Sequence, residues 1–192
     1  MQNKPASKVA AIVLAAGASR RMGHPKQLIP FGETTLLGNM AESALAAGCH
    51  PVVVVLGAYF EKIKPAVTHL PVTVLQNENW EKGMGNSIAC GVDYLMKNSP
   101  EAGAALLMVC DQPLNGPKIL SRLMETWQLG NLPIAASEYA GTIGTPALFD
   151  KSFFPALALL DGDIGAKPLL LRNLEQVARV PFPGGEVDWD LG

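Results

Sequence analysis

The sequence predicts an α/β fold: a single domain, three-layer α/β/α, in which a mostly parallel central sheet lies between two layers of helices. Apolar, β-rich runs alternate with helical patterns along the first half of the chain, which is typical of strands joined by helical crossovers. The run at residues 52–56 is apolar throughout, as expected for a strand covered on both faces. A length of 192 residues suits one domain with a full sheet.

The first half of the chain supplies four predicted strands. They lie over residues 9–14, 52–56, 72–76 and 104–110, and the predicted helices between them lie over residues 35–47, 58–66 and 86–97. Right-handed crossovers place the carboxyl ends of parallel strands along one edge of a sheet. Ligand-binding groups are therefore expected along that edge.

The alternation of predicted strands and helices changes in the second half of the chain. A helix over residues 118–128 leads to apolar runs at 133–139 and 147–149, and the glycine-rich turn at 141–144 between them indicates a β-hairpin or a pair of strands. Two helices over residues 152–160 and 166–173 and a last strand over 176–181 follow. We find no repeat or linker, so residues 1–192 are predicted to form one domain.

The composition excludes several classes of protein. Apolar residues make up 48% and charged residues 17% of the chain, which favours a packed globule over disorder. A net charge of −2 argues against nonspecific nucleic-acid binding. The three cysteines and three histidines have neither disulfide nor zinc-site spacing. Without a signal peptide or a membrane-length apolar run, we expect a cytoplasmic protein with no nucleic-acid or membrane partner.

A small-residue loop follows the first predicted strand. Residues 15–19 have almost no side chain, so that backbone N–H groups can approach a ligand closely. Three cations lie in or just after this loop, namely Arg20, Arg21 and Lys26. Their mutual repulsion is relieved if an anion lies between them, so the loop is predicted to hold a triphosphate. Gly17 and Gly23 can supply positive φ angles at little cost.

Other glycine-rich motifs do not fit this loop. A Walker loop is excluded because His24 and Pro25 follow Gly23. The dinucleotide fingerprint fails at residues 18–19, and a hydrolase elbow fails because its fifth position is Arg21. An ordinary strand-to-helix connection with solvated cations remains the alternative.

Carboxylates at two places suggest a metal site. Asp111 directly follows the predicted strand at 104–110, and Mg²⁺ on phosphates needs only one or two protein carboxylates. Alternatively, Asp111 and Pro113 form an Asp-x-Pro turn. Asp188 and Asp190 point to one side if extended, and either is a candidate second ligand, unless both are solvated.

The segment at residues 77–87 follows the third predicted strand and ends where a helix begins. Gly85 and Asn86 are expected at the amino end of that helix, where free N–H groups bind anions. Asn79 and Ser87 are candidates to hydrogen-bond a base or a phosphate. The alternative is that Asn86 or Ser87 caps the helix.

Four motifs resemble the MobA-like nucleotidyltransferases, whose fold is Rossmann-like. They are Leu-Ala-Ala-Gly-x-Ser-x-Arg-Met-Gly-x-x-Lys at 14–26, Asn-x-x-Trp-x-x-Gly-Met-Gly-x-Ser at 77–87, Asp-Gln-Pro at 111–113 and Gly-Asp-x-Gly-Ala at 162–166. Within this family, the chain most resembles the molybdenum cofactor cytidylyltransferases. The resemblance implies transfer of CMP from CTP to the phosphate of molybdopterin cofactor, with release of pyrophosphate.

The resemblance also implies the substrates and partners. Ala-Ala-Gly at 15–17 is similar to the CTP-using members, whereas the GTP-using members read Ala-Gly-Gly there. The implied cofactor is Mg²⁺, with Mn²⁺ as the alternative, and the implied protein partner is a molybdenum hydroxylase apoenzyme.

The roles of individual residues follow from the same resemblance. Arg21 and Lys26 would bind the triphosphate and act in catalysis with Asp111, and Asp190 rather than Asp188 would be the second metal ligand. The implied nucleotide-binding residues are Leu14, Ala15, Ala16, Gly17, Ser19, Arg21, Lys26, Asn79, Gly85, Ser87 and Asp111. The implied acceptor-binding residues are Gly144, Thr145, Pro146 and Asp163.

Two other functions remain open from the sequence. One is a cytidylyltransferase that acts on a sugar or polyol phosphate, since Pro-Lys-Gln at 25–27 also occurs in that setting. The other is a noncatalytic protein that senses nucleotide or hands the cofactor to an apoenzyme.

Overall fold

Nine strands and six α-helices make up the regular structure of the described chain. The structure, a computed structural model, describes residues 8–112 and 114–185, with the exception of the Arg21 side chain. The strands are β1 (Lys8–Ala15), β2 (Pro30–Phe31), β3 (Thr34–Thr35), β4 (Val52–Leu56), β5 (Thr73–Gln76), β6 (Ala102–Val109), β7 (Ile134–Tyr139), β8 (Thr142–Asp150) and β9 (Val177–Pro181). The helices are α1 (Leu36–Ala46), α2 (Phe60–Ile63), α3 (Met84–Asn98), α4 (Pro117–Leu129), α5 (Phe154–Ala158) and α6 (Lys167–Arg172).

Seven of the strands form one sheet in the order β5-β4-β1-β6-β8-β7-β9. β1 pairs in parallel with both β4 and β6, and β4 pairs in parallel with β5. β8 is antiparallel to both of its neighbours, and β7 and β9 are parallel to each other. The predicted mostly parallel α/β fold is therefore confirmed, whereas one domain over residues 1–192 stays a prediction.

Helices cover both faces of this sheet. Successive residues of β1 point to opposite faces, so that Ala11 and Val13 pack with α1, α2 and α4 while Ala10 and Ile12 pack with α3, α5 and α6. All residues of β4 are buried, which explains its uninterrupted apolar sequence. No helix within residues 8–112 and 114–185 has both the length and the apolar character needed to cross a bilayer.

The predicted helix over residues 58–66 is shorter in the structure. Tyr59 has a left-handed φ of 56° just before α2, and Pro65 has no N–H to continue an α-helical ladder. The chain therefore forms only α2 and then a 3₁₀ turn at Lys64–Ala66. The helix predicted over residues 152–160 likewise divides into a 3₁₀ turn at Lys151–Phe153 and α5.

The predicted hairpin exists, but its turn is tighter than the glycine pattern suggests. Tyr139 pairs with Thr142 across a two-residue turn in which Ala140 and Gly141 both have positive φ, 46° and 73°. Pairing then shifts between Ala136 and Ser137, which lets residues 145–146 bulge out of β8. The short hairpin of β2 and β3 has no counterpart in the prediction.

Candidate active site

Two neighbouring cavities open at the carboxyl end of the parallel strands. The loop cavity, of about 450 Å³, is lined by the loop after β1, by residues 80–87 and by the end of β6. The hairpin cavity, of about 440 Å³, is lined by β7, β8 and α6. Leu14, Met84, Val109 and Asp111 line both cavities. The structure thus places the predicted site at the predicted edge and divides it into two halves.

Most of the predicted nucleotide-binding residues line the loop cavity. They are Leu14, Ala15, Ala16, Gly17, Lys26, Ser87 and Asp111. Ser19 is not among the lining residues, but its hydroxyl accepts a hydrogen bond from the N–H of Lys26 at 3.1 Å and so fixes the end of the loop. The positive φ angles of this loop belong to Ser19, at 50°, and to Gly23, at 68°, whereas the φ of Gly17 is not positive.

Lys26 and Asp111, 85 residues apart in sequence, form an ion pair on the floor of the loop cavity. The Lys26 Nζ donates a hydrogen bond to Asp111 Oδ2, and the two side chains are 21% and 24% exposed. Partial burial makes this attraction stronger than that of a surface pair. The two predicted catalytic groups are therefore brought together, and a polyphosphate entering here meets an ammonium held in place.

Gln27 itself lines the loop cavity and is hydrogen-bonded to the same loop. Its side chain is 1% exposed, and its Nε2 donates to the carbonyl oxygens of Ala15 and Gly17, both at 2.8 Å. Both carbonyls belong to the small-residue loop that lines the cavity. The sequence analysis missed this residue, although a glutamine directly after a candidate phosphate-binding lysine is a signal for it.

The two arginines of the loop differ in what the structure shows. Arg20 lines the loop cavity, and its Nη2 lies 3.8 Å from Glu81 Oε1, with the two side chains 80% and 70% exposed. Such an exposed pair is weak, so the guanidinium stays available to an incoming anion. The predicted catalytic Arg21 has its backbone in the 3₁₀ turn Arg20–Met22, and its side chain lies outside the described part of the chain.

The segment after β5 brings only some of its predicted ligands to the site. Ser87 is buried in the cavity wall and accepts a hydrogen bond from Asn77 Nδ2 at 3.0 Å. Asn79 instead lines a separate surface recess with Asn86 and Asp161. The nucleotide contact by Asn79 stays a prediction, since the structure places this residue at the neighbouring recess. Capping by Asn86 or Ser87 is wrong, because α3 begins one turn earlier, after Gly83.

Close backbone packing explains two glycines of this segment. The N–H of Gly85 donates to the carbonyl of Gly162 at 2.8 Å, so it is not free for an anion as predicted. A Cβ on Gly83, whose φ is 107°, would lie 2.4 Å from the carbonyl carbon of Gly162. Asp163, predicted to bind the acceptor, consequently lies at the loop cavity against Gly83 and does not line the hairpin cavity.

The other predicted acceptor residues lie at the bulge of β8. Gly144 and Thr145 line the hairpin cavity, whereas Pro146 does not and accepts a hydrogen bond at its carbonyl from Ser137 Oγ at 2.8 Å. The remaining walls are largely apolar and include Ile143, Phe149 and Leu170. This half of the site therefore suits a ligand with an apolar face.

Gln112 joins the hairpin cavity to the rest of the site, and the sequence analysis did not single it out. It is 6% exposed, and its Oε1 accepts from Thr145 Oγ1 at 3.1 Å and from Asn115 Nδ2 at 3.2 Å. Its Nε2 donates to the carbonyl of Gly185 at 3.2 Å. One buried amide thus fixes the β8 bulge and the chain after β9 relative to Asp111.

The donor set is suited to a cation shared with phosphates. Residues 8–112 and 114–185 contain no group of three or more His, Cys, Asp or Glu side chains that could hold a metal. Asp111 offers one carboxylate in the loop cavity, which is sufficient for Mg²⁺ when substrate oxygens and water complete its shell. The candidate ligands Asp188 and Asp190 lie outside the described residues.

Cys110 lines the loop cavity but has no reactive character. Burial raises the pKa of its thiol to about 12, the Asp111 charge adds to this effect, and the Lys26 charge opposes it. A thiol that stays protonated is neither a nucleophile nor a metal ligand at neutral pH.

Comparison with known proteins agrees with this geometry. Residues 11–177 match the MobA-like NTP transferase domain family. The chain is 34% identical to nicotine blue oxidoreductase of Paenarthrobacter nicotinovorans over 86% of this chain and 82% of that protein. It is 30% identical to the purine catabolism protein PucB of Bacillus subtilis over 83% of this chain and 78% of that protein.

A solved structure extends the likeness to three dimensions. Rv0371c of Mycobacterium tuberculosis superposes with a TM-score of 0.80 at 30% identity, over 93% of this chain and 89% of that one. A structure of Rv0371c in complex with manganese gives a TM-score of 0.76 at 28% identity, over 97% and 94%. The match to the family over most of the chain, with a small-residue loop and Lys26 beside Asp111 at the cavity, leads to one conclusion: this chain belongs to the MobA-like NTP transferase family and is a nucleotidyltransferase.

Proposed function

We propose that this nucleotidyltransferase transfers CMP from CTP to the terminal phosphate of molybdopterin cofactor, forming molybdopterin cytosine dinucleotide and pyrophosphate. The observation that carries the proposal is the position of Asp111, which lines the loop cavity and the hairpin cavity at once. A triphosphate in the first and a phosphate-bearing acceptor in the second would meet at this carboxylate.

The loop cavity supports the nucleotide half of the proposal. Lys26 and Arg20 bring positive charge to it, and the backbone N–H groups of Ala16 and Ala18 have no acceptor within the described chain. Oriented N–H groups and cations form a site for phosphate oxygens. The predicted third cation, Arg21, belongs to the same proposal.

The reaction needs little covalent help from the protein. An oxygen of the acceptor phosphate, already anionic, attacks the α-phosphorus of CTP, and the bond from that phosphorus to the oxygen bridging to the β-phosphorus breaks. The new phosphoanhydride joins acceptor and CMP, and pyrophosphate leaves with the electron pair. Positioning of the two phosphates and neutralisation of the leaving group by Lys26 supply the catalysis.

The proposed metal site consists of Asp111 and, as a second ligand, Asp190. A bound Mg²⁺ or Mn²⁺ supplies charge neutralisation to the triphosphate and orients its oxygens. Asp111 would then hold the cation, and the ammonium of Lys26 beside it would be available to the phosphates. The manganese complex of Rv0371c supports a divalent metal in this family.

The hairpin cavity favours a pterin over a sugar or polyol acceptor. The faces of a planar heterocycle are apolar, and they suit walls made of Ile143, Phe149 and Leu170. The hydroxyl groups of a sugar would face mostly apolar walls, in which the polar side chains are Asp111, Gln112, Tyr139, Thr142, Thr145 and Lys167. The proposed preference for CTP rests on Ala-Ala-Gly at 15–17. After synthesis, the dinucleotide product would be delivered to a molybdenum hydroxylase apoenzyme.

A matrix assay tests this function. Each of the four nucleoside triphosphates is incubated with Mg²⁺ and with molybdopterin cofactor, a sugar phosphate or a polyol phosphate, and pyrophosphate release is measured. Because one relative is named an oxidoreductase, the absorbance of redox-active groups is followed in the same mixtures. We expect pyrophosphate only with CTP and molybdopterin cofactor. Release with a sugar or polyol phosphate, binding without release, or a redox change without pyrophosphate would each contradict the proposal.

A further inference from the structure

Gln27 is a buried amide whose orientation is fixed by its neighbours. Its Nε2 has two acceptors, the carbonyls of Ala15 and Gly17, 12 and 10 residues away in sequence. The reverse orientation of the amide would set its oxygen against these two carbonyl oxygens. The assignment of nitrogen and oxygen is therefore determined by the hydrogen bonds.

This arrangement leaves one polar atom without a partner. Within the described chain, the Oε1 of Gln27 is buried and accepts no hydrogen bond. An unpaired buried acceptor is unfavourable, and a leucine or methionine would occupy similar space without it. A role limited to filling space does not explain a glutamine here, whereas the two bonds of its Nε2 do.

The two bonded carbonyls determine where the neighbouring N–H groups point. In a trans peptide the C=O of one residue and the N–H of the next point in opposite directions. With the carbonyls of Ala15 and Gly17 directed at Gln27, the N–H groups of Ala16 and Ala18 are directed away from it. These are the N–H groups that lack an acceptor in the part of the chain that the structure describes.

We propose that Gln27 is the positioning residue of the phosphate-binding loop: its amide holds the peptide groups 15–16 and 17–18 so that their N–H groups face a polyphosphate and their carbonyl oxygens do not. This inference rests on the proposed function only in requiring a nucleoside triphosphate as ligand. Donors fixed before the ligand arrives need no reorganisation on binding.

The test measures nucleotide binding without any acceptor. Titration calorimetry with Mg²⁺ gives the Kd of CTP and of CMP for the wild type, Gln27→Leu and Gln27→Glu. The matched control is Gln176→Leu, which removes a glutamine amide that donates to Asn173 within the described residues and lies away from both cavities. Melting temperatures show whether each variant is folded.

We expect Gln27→Leu to weaken CTP binding by about 10- to 100-fold and CMP binding by about 3-fold or less, because CTP offers three phosphate groups to the loop and CMP only one. The control should bind both nucleotides as the wild type does. Equal weakening of CTP and CMP, or unchanged CTP binding by a folded Gln27→Leu, would overturn the proposal.

Gln27→Glu provides a readout that a merely structural residue would not show. At about pH 8 the carboxylate cannot donate and faces two carbonyl oxygens, so CTP binding should be as weak as in Gln27→Leu. At about pH 5.5 the buried carboxyl favours its protonated form and donates one hydrogen bond again. The ratio of the CTP Kd of Gln27→Glu to that of the wild type at the same pH should therefore fall about fivefold.

This second variant also keeps the test decisive if Gln27→Leu does not fold, because one protein is compared at two pH values. A CTP Kd that does not recover at low pH would overturn the proposal. Failure of the proposed function would look different, since the wild type would bind a triphosphate yet release no pyrophosphate with molybdopterin cofactor.

Discussion

The loop cavity and the hairpin cavity are each fixed by one buried glutamine, but in different ways. Gln27 bonds two carbonyls of a loop close to it in sequence, whereas Gln112 bonds Thr145 and Gly185, 33 and 73 residues away. Among the described residues, the loop cavity carries Lys26 and Arg20 beside small backbone groups, and the hairpin cavity is mostly apolar with Lys167 as its cation.

This difference corresponds to two tasks, binding of a triphosphate and selection of an acceptor. Holding a triphosphate needs charge and N–H groups, which a short local loop can supply. Selecting an acceptor needs a shaped wall, which distant strands assemble. The two halves should therefore respond differently to mutation, and the following changes test that difference, beginning with the largest expected effect.

Removal of the Lys26 ammonium should have the largest effect. We expect Lys26→Ala to lower turnover by about 100-fold or more, because the charge that neutralises departing pyrophosphate is lost. Pyrophosphate release at saturating substrates is the measurement, and Lys118→Ala, which removes an exposed lysine of α4, is the control. Turnover equal to that of the wild type would remove Lys26 from the catalytic role.

Substitution of Gly83, which lines the loop cavity, should destabilise the protein because a side chain at this position would clash with neighbouring backbone. In Gly83→Ala the new Cβ meets the backbone of Gly162 at 2.4 Å while φ is 107°. We expect a loss of about 2 kcal/mol or more in the free energy of unfolding. Gly17→Ala is the control, because no atom lies within 4 Å of a Cβ built there and its φ is not positive.

Urea unfolding of the two glycine variants provides the measurement. Gly17→Ala should change stability by less than about 0.5 kcal/mol. Similar losses in both variants would show that the segment at 161–163 does not press against Gly83 as described.

Loss of the Thr145 hydroxyl should affect the hairpin cavity alone. Thr145→Val removes the hydrogen bond to Gln112, and we expect the KM for the acceptor to rise about 3- to 10-fold while the KM for CTP stays constant. Thr68→Val makes the same chemical change at an exposed position. A parallel rise in the KM of CTP would mean that the two halves are not independent.

The two buried thiols should make the free energy of unfolding depend on pH in the alkaline range, and they should not do so near neutral pH. Burial raises the pKa of Cys49 and of Cys110 from 9.0 to about 12, so folding favours the protonated thiol. The resulting stability is present below pH 9.0 and is lost as the pH rises toward about 12.

The double variant Cys49→Ala, Cys110→Ala isolates this contribution. Between about pH 9 and about pH 11 its free energy of unfolding should fall less steeply than that of the wild type, by at most about 1.4 kcal/mol per pH unit for each thiol. Urea unfolding under reducing conditions measures both slopes. Identical slopes would show that the thiols are ionised in the folded protein.

Local patterns predicted most of the helices and strands and the loop that lines the loop cavity. The apolar run at 52–56 and the small residues at 15–19 can each be recognised from consecutive residues alone. The corresponding strand β4 and the loop after β1 lie where the sequence predicted them. Predictions for the segment after β5 were less accurate. Asn79 and Gly85 lie in the right region, but one faces another recess and the other bonds Gly162.

The sequence by itself determined that this chain folds around a mostly parallel sheet with a cationic, small-residue loop at its carboxyl edge, because periodicity and loop composition are properties of neighbouring residues. Only the tertiary structure decided that Lys26 pairs with Asp111, that Asp163 lies at the loop cavity, and that Gln112 joins Thr145 to Gly185. These contacts join residues far apart in the chain, and their partners are fixed by strand order and packing, which no local pattern encodes.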